Sequence, residues 1–592
     1  MKDVPRFLSY FRRRPAPLVG GFLTMVGSSA LFLAMPRVVR IAIEDLQTGV
    51  TVGKLFWLSS IIVLLAVGDA ICLFLTRRLL IGASRHIEYE MRQDLLSHLL
   101  RLPPTWHRQN RVGDLMSRAV NDLSAVRMMA GPGVMHGATT LVVGVASLVL
   151  MLSVSPLLTA VSLAFLPLVA ATTAVVGKIT HKRFTRIQEF FSEISVQAQE
   201  DFAGVRLVRA FAKEESEARR FDVKNKEFLE RNLGLARLNA LYFPALQLLV
   251  ALGSAVTLYV GGRLILKGSL SVARYVEFNL YLLELVWPAI ALGWVVNLWQ
   301  RGAASWNRLV ELWVAEPLNS FTASGDAEGI ASAKSPATPS DAVLQGDVEV
   351  RGLSFDYSGV RSVLRDVSFT VPQGSTVALV GRTGAGKSTL LNLLLRLDEP
   401  PKGTVFIGGR DLTEVPLPLV RRSLVTVPQE TFLFSDTLAA NIAFGQPAAS
   451  RAEIEAAALA AGLEPDLAQL PKGLDTMVGE RGITLSGGQK QRTALARALL
   501  TGAPYLLLDD AFSSVDTETE ARILLGLKQA VAGRTVFLVS HRLSTIQHAD
   551  FVVVLENGRV AEVGTHAELL ALGGVYAGIA ERQRLLEEVE AA

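Results

Sequence analysis

The sequence predicts two joined parts: an α-helical transmembrane bundle of six helices with long cytoplasmic extensions, and an α/β domain built around a phosphate-binding loop. Three observations predict it. Apolar runs of about 20 residues, the length that crosses a hydrocarbon core as a helix, occur only before residue 300. A stretch rich in Ser, Ala, Thr, Pro and Gly follows at residues 319–343, too poor in apolar surface to fold by itself. Beyond it, short strand-like runs alternate with helical ones, the pattern of an α/β domain. The expected division is therefore a membrane domain over 1–318, a flexible linker over 319–343 and an α/β domain over 344–592.

Composition agrees. A chain of 592 residues exceeds one compact domain. With 50% hydrophobic and 19% charged residues it is too apolar for an average soluble protein or a disordered one. Lys and Arg number 59 against 55 Asp and Glu, which excludes a nucleic-acid binder held by bulk charge. No nucleic-acid partner is expected; the bilayer is. The single cysteine, Cys72, lies in an apolar run and rules out an internal disulfide or a thiolate zinc cluster.

The six spans are expected at residues 18–36, 55–75, 134–154, 157–176, 241–264 and 276–298. Arg12, Arg13 and Arg14 precede the first with no small-residue cleavage site after it, so an uncleaved first helix and a cytoplasmic N-terminus are expected. Residues 1–11 read as an amphipathic helix on the membrane surface. Ser155 and Pro156 alone join the third and fourth spans, as a tight hairpin. Residues 77–129 and 178–240 are helix-permissive and rich in Arg and Lys, which places them in the cytoplasm. Arg263, Lys267 and Arg274 sit discordantly in a loop expected outside.

In the second part, strand-like runs lie at residues 348–355, 376–380, 505–508, 535–539 and 551–555. The run at 376–380 leads directly into Gly381-Arg-Thr383-Gly384-Ala-Gly386-Lys387-Ser388-Thr389, giving strand, glycine-rich loop and helix start in the order a phosphate cradle requires. Glycines let backbone N–H groups turn onto phosphates and the helix N-terminus adds its dipole. Lys387 reaches the β and γ phosphates, and the Ser388 hydroxyl ligates Mg²⁺. ATP and Mg²⁺ are thus the expected cofactors. Asp509, at the end of the apolar run 505–508, provides a carboxylate for the Mg²⁺ shell. Between them Ser486, Gly487, Gly488 and Gln489 open a helical run followed by Lys490-Gln-Arg492.

That order of loop, Ser-Gly-Gly run and strand-terminal aspartate resembles the ATP-binding-cassette (ABC) family, over residues 344–592. The resemblance implies further roles. Tyr357 resembles the aromatic that stacks on adenine, and Gln429 the glutamine that contacts Mg²⁺ and water and couples the domain to the membrane half. Asp516 resembles a loop crossing a dimer interface, and His541 the histidine at the γ-phosphate. It also implies two such domains packed head to tail, the Ser486–Gln489 segment of one chain completing the glycine-rich loop of the other. The segment 476–482 resembles one typical of exporters, with Met477 where the pattern commonly has Glu. In the membrane half, 113–118 with Asp122, and 201–211, are similar to the two cytoplasmic loops of exporters that touch the ATPase domains.

One departure stands out. Where the family usually has a glutamate that polarises the attacking water, this chain has Asp510, one methylene shorter. Misplacement at this scale costs on the order of a hundredfold, so slow hydrolysis is expected at the chain's own site while its Ser486–Gln489 segment stays intact. That resembles one half of a heterodimeric exporter. A homodimer in which Asp510 works adequately remains open, as do an ATP-gated channel or regulator and, on the same scaffold, an importer. The cargo the resemblance implies is amphipathic: drugs, lipids or peptides. Charged groups inside spans are costly, which marks Asp69, Glu277 and Glu284 as candidates for a cavity lining, Glu284 first. Arg37 and Arg40 are expected among outer headgroups, and Trp287, Trp294, Trp299, Trp306 and Trp313 mainly as packing and interfacial anchors.

Overall fold

The computed structural model describes residues 1–315, 343–357, 362–482, 484–513, 520, 523 and 530–591. Nearly all of the expected linker, and Asp516, lie outside the described residues. The chain divides into two compact units, one of residues 1–96 and 116–312, the other of residues 97–115 and 313–592.

The first unit is helical. A short helix α1 (Val4–Arg12) is capped by the Asp3 carboxylate, which accepts from the Arg6 N–H. Six long helices come next, each with an apolar stretch long enough to span: α2 (Pro15–Thr48), α3 (Val52–Leu99), α5 (Val112–Val154), α6 (Pro156–Ala203), α8 (Glu214–Leu266) and α9 (Val272–Val314). Two short helices lie in the connections: α7 (Val205–Ala210), and α4 (Pro104–Gln109), which belongs to the second unit. All six expected runs fall inside these helices. At 53 residues, α8 extends about 80 Å, well beyond a hydrocarbon core of roughly 30 Å, so its polar first half belongs outside the bilayer. The break between α5 and α6 occurs where Ser155 turns extended and accepts the Leu158 N–H at 3.3 Å, with Pro156 in the first helical position.

Apolar side chains such as Leu64, Leu141 and Leu248 face outward along the spans, a surface suited to lipid. The inward packing joins α2, α5, α6 and α9 through Leu33, Met151, Leu158, Phe278 and Tyr281. Helix α1 is anchored on the same unit: Phe7 packs edge-on against Trp306 at 5.1 Å, and the Tyr10 hydroxyl donates to Asp94 at 2.8 Å. Asp122 is buried where α5 meets α9, accepting from Ser305 Oγ at 2.9 Å and Arg308 Nε at 2.8 Å.

Among its described residues the second unit holds two sheets. A six-stranded sheet has the order β10-β9-β3-β8-β7-β6, formed by β3 (Thr376–Val380), β6 (Leu424–Val427), β7 (Tyr505–Asp509), β8 (Thr535–Val539), β9 (Phe551–Glu556) and β10 (Arg559–Gly564). Only the β9–β10 pairing is antiparallel. Continuous apolar runs such as Val377 to Val380 are buried on both faces, as a parallel sheet requires. A four-stranded antiparallel sheet, β2-β1-β4-β5, is built from β1 (Val348–Phe355), β2 (Leu364–Val371), β4 (Val405–Ile407) and β5 (Arg410–Asp411). Every strand expected from the sequence is present, at the expected bounds or within one residue of them.

Candidate functional site

Strands β3, β8, β7 and β6 are neighbours and parallel, so their C-terminal ends share one edge, the position where α/β sheets bind ligands. The segments leaving these strands are therefore gathered at that edge. After β3 come Gly381 to Gly386 and helix α10 (Lys387–Leu394); β7 ends in Asp509 and continues to Asp510; β8 leads to His541; β6 leads to Gln429. A cavity of about 200 Å³ is lined by Thr383, Gly384, Gly386, Lys387, Ser388 and Thr389 of the loop and helix start, and by Gln429, Asp509, Asp510 and His541. The expected site residues among them, up to 158 positions apart in sequence, thus meet, together with Val363 and Val539, which the sequence did not mark.

Two glycines make the loop possible. A Cβ on Gly381 would lie 2.2 Å from the Leu555 carbonyl oxygen, and one on Gly386, whose φ is +100°, 2.6 Å from Leu364. The Lys387 ammonium is buried and donates to the carbonyls of Gly381 at 2.7 Å and Arg382 at 3.2 Å, which fixes it across the loop. Burial lowers its pKa, opposed by the charges of Asp509 and Asp510. Burial likewise raises the pKa of Asp509, opposed by a hydrogen bond from the Ser388 hydroxyl. A hydroxyl, a carboxylate and the Gln429 amide on one cavity wall are hard oxygen donors of the kind Mg²⁺ takes. The donor set fits the ion, and the glycine cradle fits a phosphate.

Asp510 has a left-handed backbone, φ +50°, and its N–H donates to the Val539 carbonyl at 3.0 Å, which ties it to the end of β8. Short polar side chains tolerate that conformation better than longer ones. Tyr357 is not in the cavity wall but donates its hydroxyl to Thr389 at 3.3 Å, and Phe355 meets its ring edge-on. The Ser486–Gln489 segment also lies outside the wall. It starts helix α11 (Gly487–Leu500) as a reciprocal cap: Ser486 Oγ accepts the Gln489 N–H at 3.3 Å and Gln489 Oε1 accepts the Ser486 N–H at 2.9 Å.

The charged candidates of the membrane unit separate. Asp69 and Glu284 line one cavity of about 690 Å³. Glu277 does not; it is buried beside Arg40, with Nε at 3.5 Å from its carboxylate. An isolated charge there would be costly, and the ion pair gives each group an opposite charge. Trp287 belongs to the same cavity rather than to packing alone, whereas Trp294 packs edge-on against His136 at 5.0 Å. His136 and Arg77 also line this cavity; neither drew notice in the sequence, since each lies at the end of an apolar run where a polar residue is ordinary.

Six spans joined to a parallel-sheet domain with this phosphate loop define a membrane-transport ATPase. Comparison with known families gives its kind. Residues 18–289 match the ABC transporter transmembrane region and residues 364–513 the ABC transporter domain. The chain is 36% identical over 559 residues to the probable multidrug resistance ABC transporter ATP-binding/permease protein YheI of Bacillus subtilis, covering 94% of this chain and 93% of that one. It is 37% identical over 523 residues to the ATP-dependent lipid A-core flippase of Pseudomonas fluorescens, covering 87% and 83%. A solved bacterial Atm1-family ABC exporter with ATP bound superposes with a TM-score of 0.74 at 29% identity, covering 96% and 98%. The chain belongs to the ABC transporter family. It is a multi-pass membrane protein with the architecture of an exporter and a cytoplasmic ATPase domain, which implies ATP hydrolysis coupled to transport.

Proposed function

We propose that this chain is one subunit of an ATP-driven exporter that moves amphipathic molecules, whether drugs, lipids or peptides, out of the cytoplasm by alternating access. Residues 1–318 form its membrane part, 319–343 the joint and 344–592 the ATPase part. The observation that carries the reading is the meeting of Lys387, Ser388, Gln429, Asp509, Asp510 and His541 in one cavity from which Ser486, Gly487, Gly488 and Gln489 are absent. Such a half-site is completed by the Ser486–Gln489 segment of a second chain.

In the working site Tyr357 stacks on adenine, the loop from Gly381 to Gly386 takes the phosphates on its N–H groups, and Lys387 turns its ammonium from the loop carbonyls to the β and γ phosphates. Ser388, Asp509 and Gln429 hold Mg²⁺, which when bound offsets phosphate charge. Asp510 accepts a proton from the water whose oxygen bonds to the γ-phosphorus as the bridging bond to ADP breaks. His541 donates to the γ-phosphate oxygens. The role assigned to Asp516, from the family resemblance, is contact with the second chain. ATP's energy enters as unequal affinity for the inward and outward states.

The second chain is a different half-transporter in this reading, because Asp510 is one methylene short of the usual glutamate while the segment it lends is intact. Tagging the chain, purifying it from native membranes in mild detergent and identifying its equimolar companion tests this. A companion with glutamate after its own Mg²⁺ aspartate supports the heterodimer. Recovery of this chain alone as a dimer with ATP turnover makes it a homodimer with Asp510 as base. Loss of ATP-driven dye accumulation in inside-out vesicles on Lys387→Ala tests the exporter reading itself; accumulation that survives would overturn it.

A further inference from the structure

The cavity of about 690 Å³ in the helical unit is apolar over most of its wall, contributed by side chains such as Met25, Phe32, Met35, Met135, Leu283 and Trp287. Three methionines make an adaptable surface for bulky ligands. Two carboxylates interrupt it. Asp69 accepts from Ser28 Oγ at 2.5 Å, so part of its charge is met by a hydroxyl. Glu284 is different: its Oε2 is enclosed and has no hydrogen-bond partner among the described residues. An ionised carboxylate against an apolar wall is costly unless a partner supplies opposite charge.

The positive groups of the same wall do not supply it. Arg77 ends the apolar run of α3, and among the described residues it forms no ion pair or hydrogen bond with Glu284. His136 is packed against Trp294. Glu277 has its own cation in Arg40 and faces elsewhere. The cavity therefore combines an unmet negative charge with the aromatic side chains of Phe32 and Trp287, and aromatic rings attract organic cations by about 0.5–2 kcal/mol.

We propose that Glu284 is the counter-ion of a lipophilic organic monocation, and that this cavity selects such cations over anionic amphiphiles of equal shape. The proposal rests on the exporter reading for its physiological meaning, but the selectivity itself is a property of the cavity. It makes Glu284 a specificity-determining residue and leaves Glu277, its neighbour two turns earlier, outside the ligand's reach.

Tetraphenylphosphonium and tetraphenylborate test it, being nearly the same shape with opposite charge. Equilibrium binding is measured on the full chain in zwitterionic nanodiscs, with empty nanodiscs subtracted. The phosphonium is expected to bind saturably and at least about tenfold tighter than the borate, and Glu284→Gln to weaken the phosphonium by about tenfold without weakening the borate. Glu284→Asp, which keeps the charge, retains the preference. Equal binding of the two ions to the unaltered chain overturns the proposal without any variant, and so does full phosphonium affinity in Glu284→Gln. Selective binding without ATP-driven accumulation in inside-out vesicles would sink the exporter reading and leave the selectivity standing. Accumulation of the borate with no binding of the phosphonium would do the reverse.

Discussion

Arg108, on the short helix α4, holds its guanidinium over the ring of Tyr357, 5.2 Å from the centroid, while its Nη2 donates to Asp398 at 3.4 Å. Asp398 is 4% exposed and its other carboxylate oxygen has no partner among the described residues, so Arg108 matters to it. Arg108 is half exposed, which limits the worth of the pair to roughly 1 kcal/mol or less. A double-mutant cycle of Arg108→Ala and Asp398→Asn in thermal unfolding is expected to return a coupling of that size. A coupling indistinguishable from zero would mean the contact is incidental.

Tyr357 is expected to act through its ring. Base–aromatic stacking is worth about 1–3 kcal/mol, so Tyr357→Ala should weaken ATP binding by roughly ten- to a hundredfold, and Tyr357→Phe by little, since the bond to Thr389 is long at 3.3 Å. Nucleotide titration of the purified variants reads both. Equal losses in the two variants would transfer the role from the ring to the hydroxyl.

The contrast between the two units explains what sequence made legible. The phosphate loop was readable because its parts are contiguous: a buried strand, Gly381 to Gly386, then Lys387 at a helix start. Asp509 was readable as the end of an apolar strand, whereas Gln429 and His541 were legible only through the family resemblance; the parallel strands bring all three together. The strands β2, β4, β5, β6 and β10 went unnoticed, being short or partly exposed and without long continuous apolar runs. In the spans, charge alone marked Asp69, Glu277 and Glu284 but could not say which way each points. A helix turns 100° per residue, and Glu277 and Glu284, two turns apart, meet different surroundings because Arg40 reaches only the first. The position of Arg108 depends on a contact across 249 residues that no local pattern records.

Asp510 sets the rate expected of this chain's own site. Asp510→Asn removes the proton acceptor and should lower residual turnover at that site by about a hundredfold or more. Asp510→Glu lengthens the reach and should raise turnover by roughly tenfold, less than the full gain because the left-handed backbone suits aspartate better than glutamate. Steady-state ATPase assays on the purified dimer measure both. If glutamate gave no increase, Asp510 would already be a competent base and the homodimer would be favoured.

Asp509 carries a cost in the absence of nucleotide. Its pKa is raised above the ordinary 3.8 by burial. An acid shifted upward binds its proton more tightly folded than unfolded, so folded stability falls as pH rises through the interval above 3.8, and the penalty is complete at neutral pH. Asp509→Asn removes that penalty. Without Mg²⁺ and nucleotide the variant should melt higher than the parent at about pH 7, with the difference vanishing toward about pH 4, while Mg²⁺-dependent ATP binding is lost. A lower melting temperature would show that the Lys387 ammonium already compensates the carboxylate.

The Arg40–Glu277 pair gives the helical unit a prediction of its own. Both groups are enclosed between α2 and α9, and Tyr281, one turn beyond Glu277, adds a hydroxyl that donates to the Leu33 carbonyl at 3.3 Å. Removing one member of a buried pair leaves the other uncompensated, at a cost of about 3–5 kcal/mol, whereas removing both is often nearly neutral. Glu277→Gln should therefore lower the melting temperature of the detergent-solubilised chain by several degrees, Arg40→Gln by a similar amount, and the double variant should recover most of the loss. Additive losses in the double variant would show that the two side chains act separately.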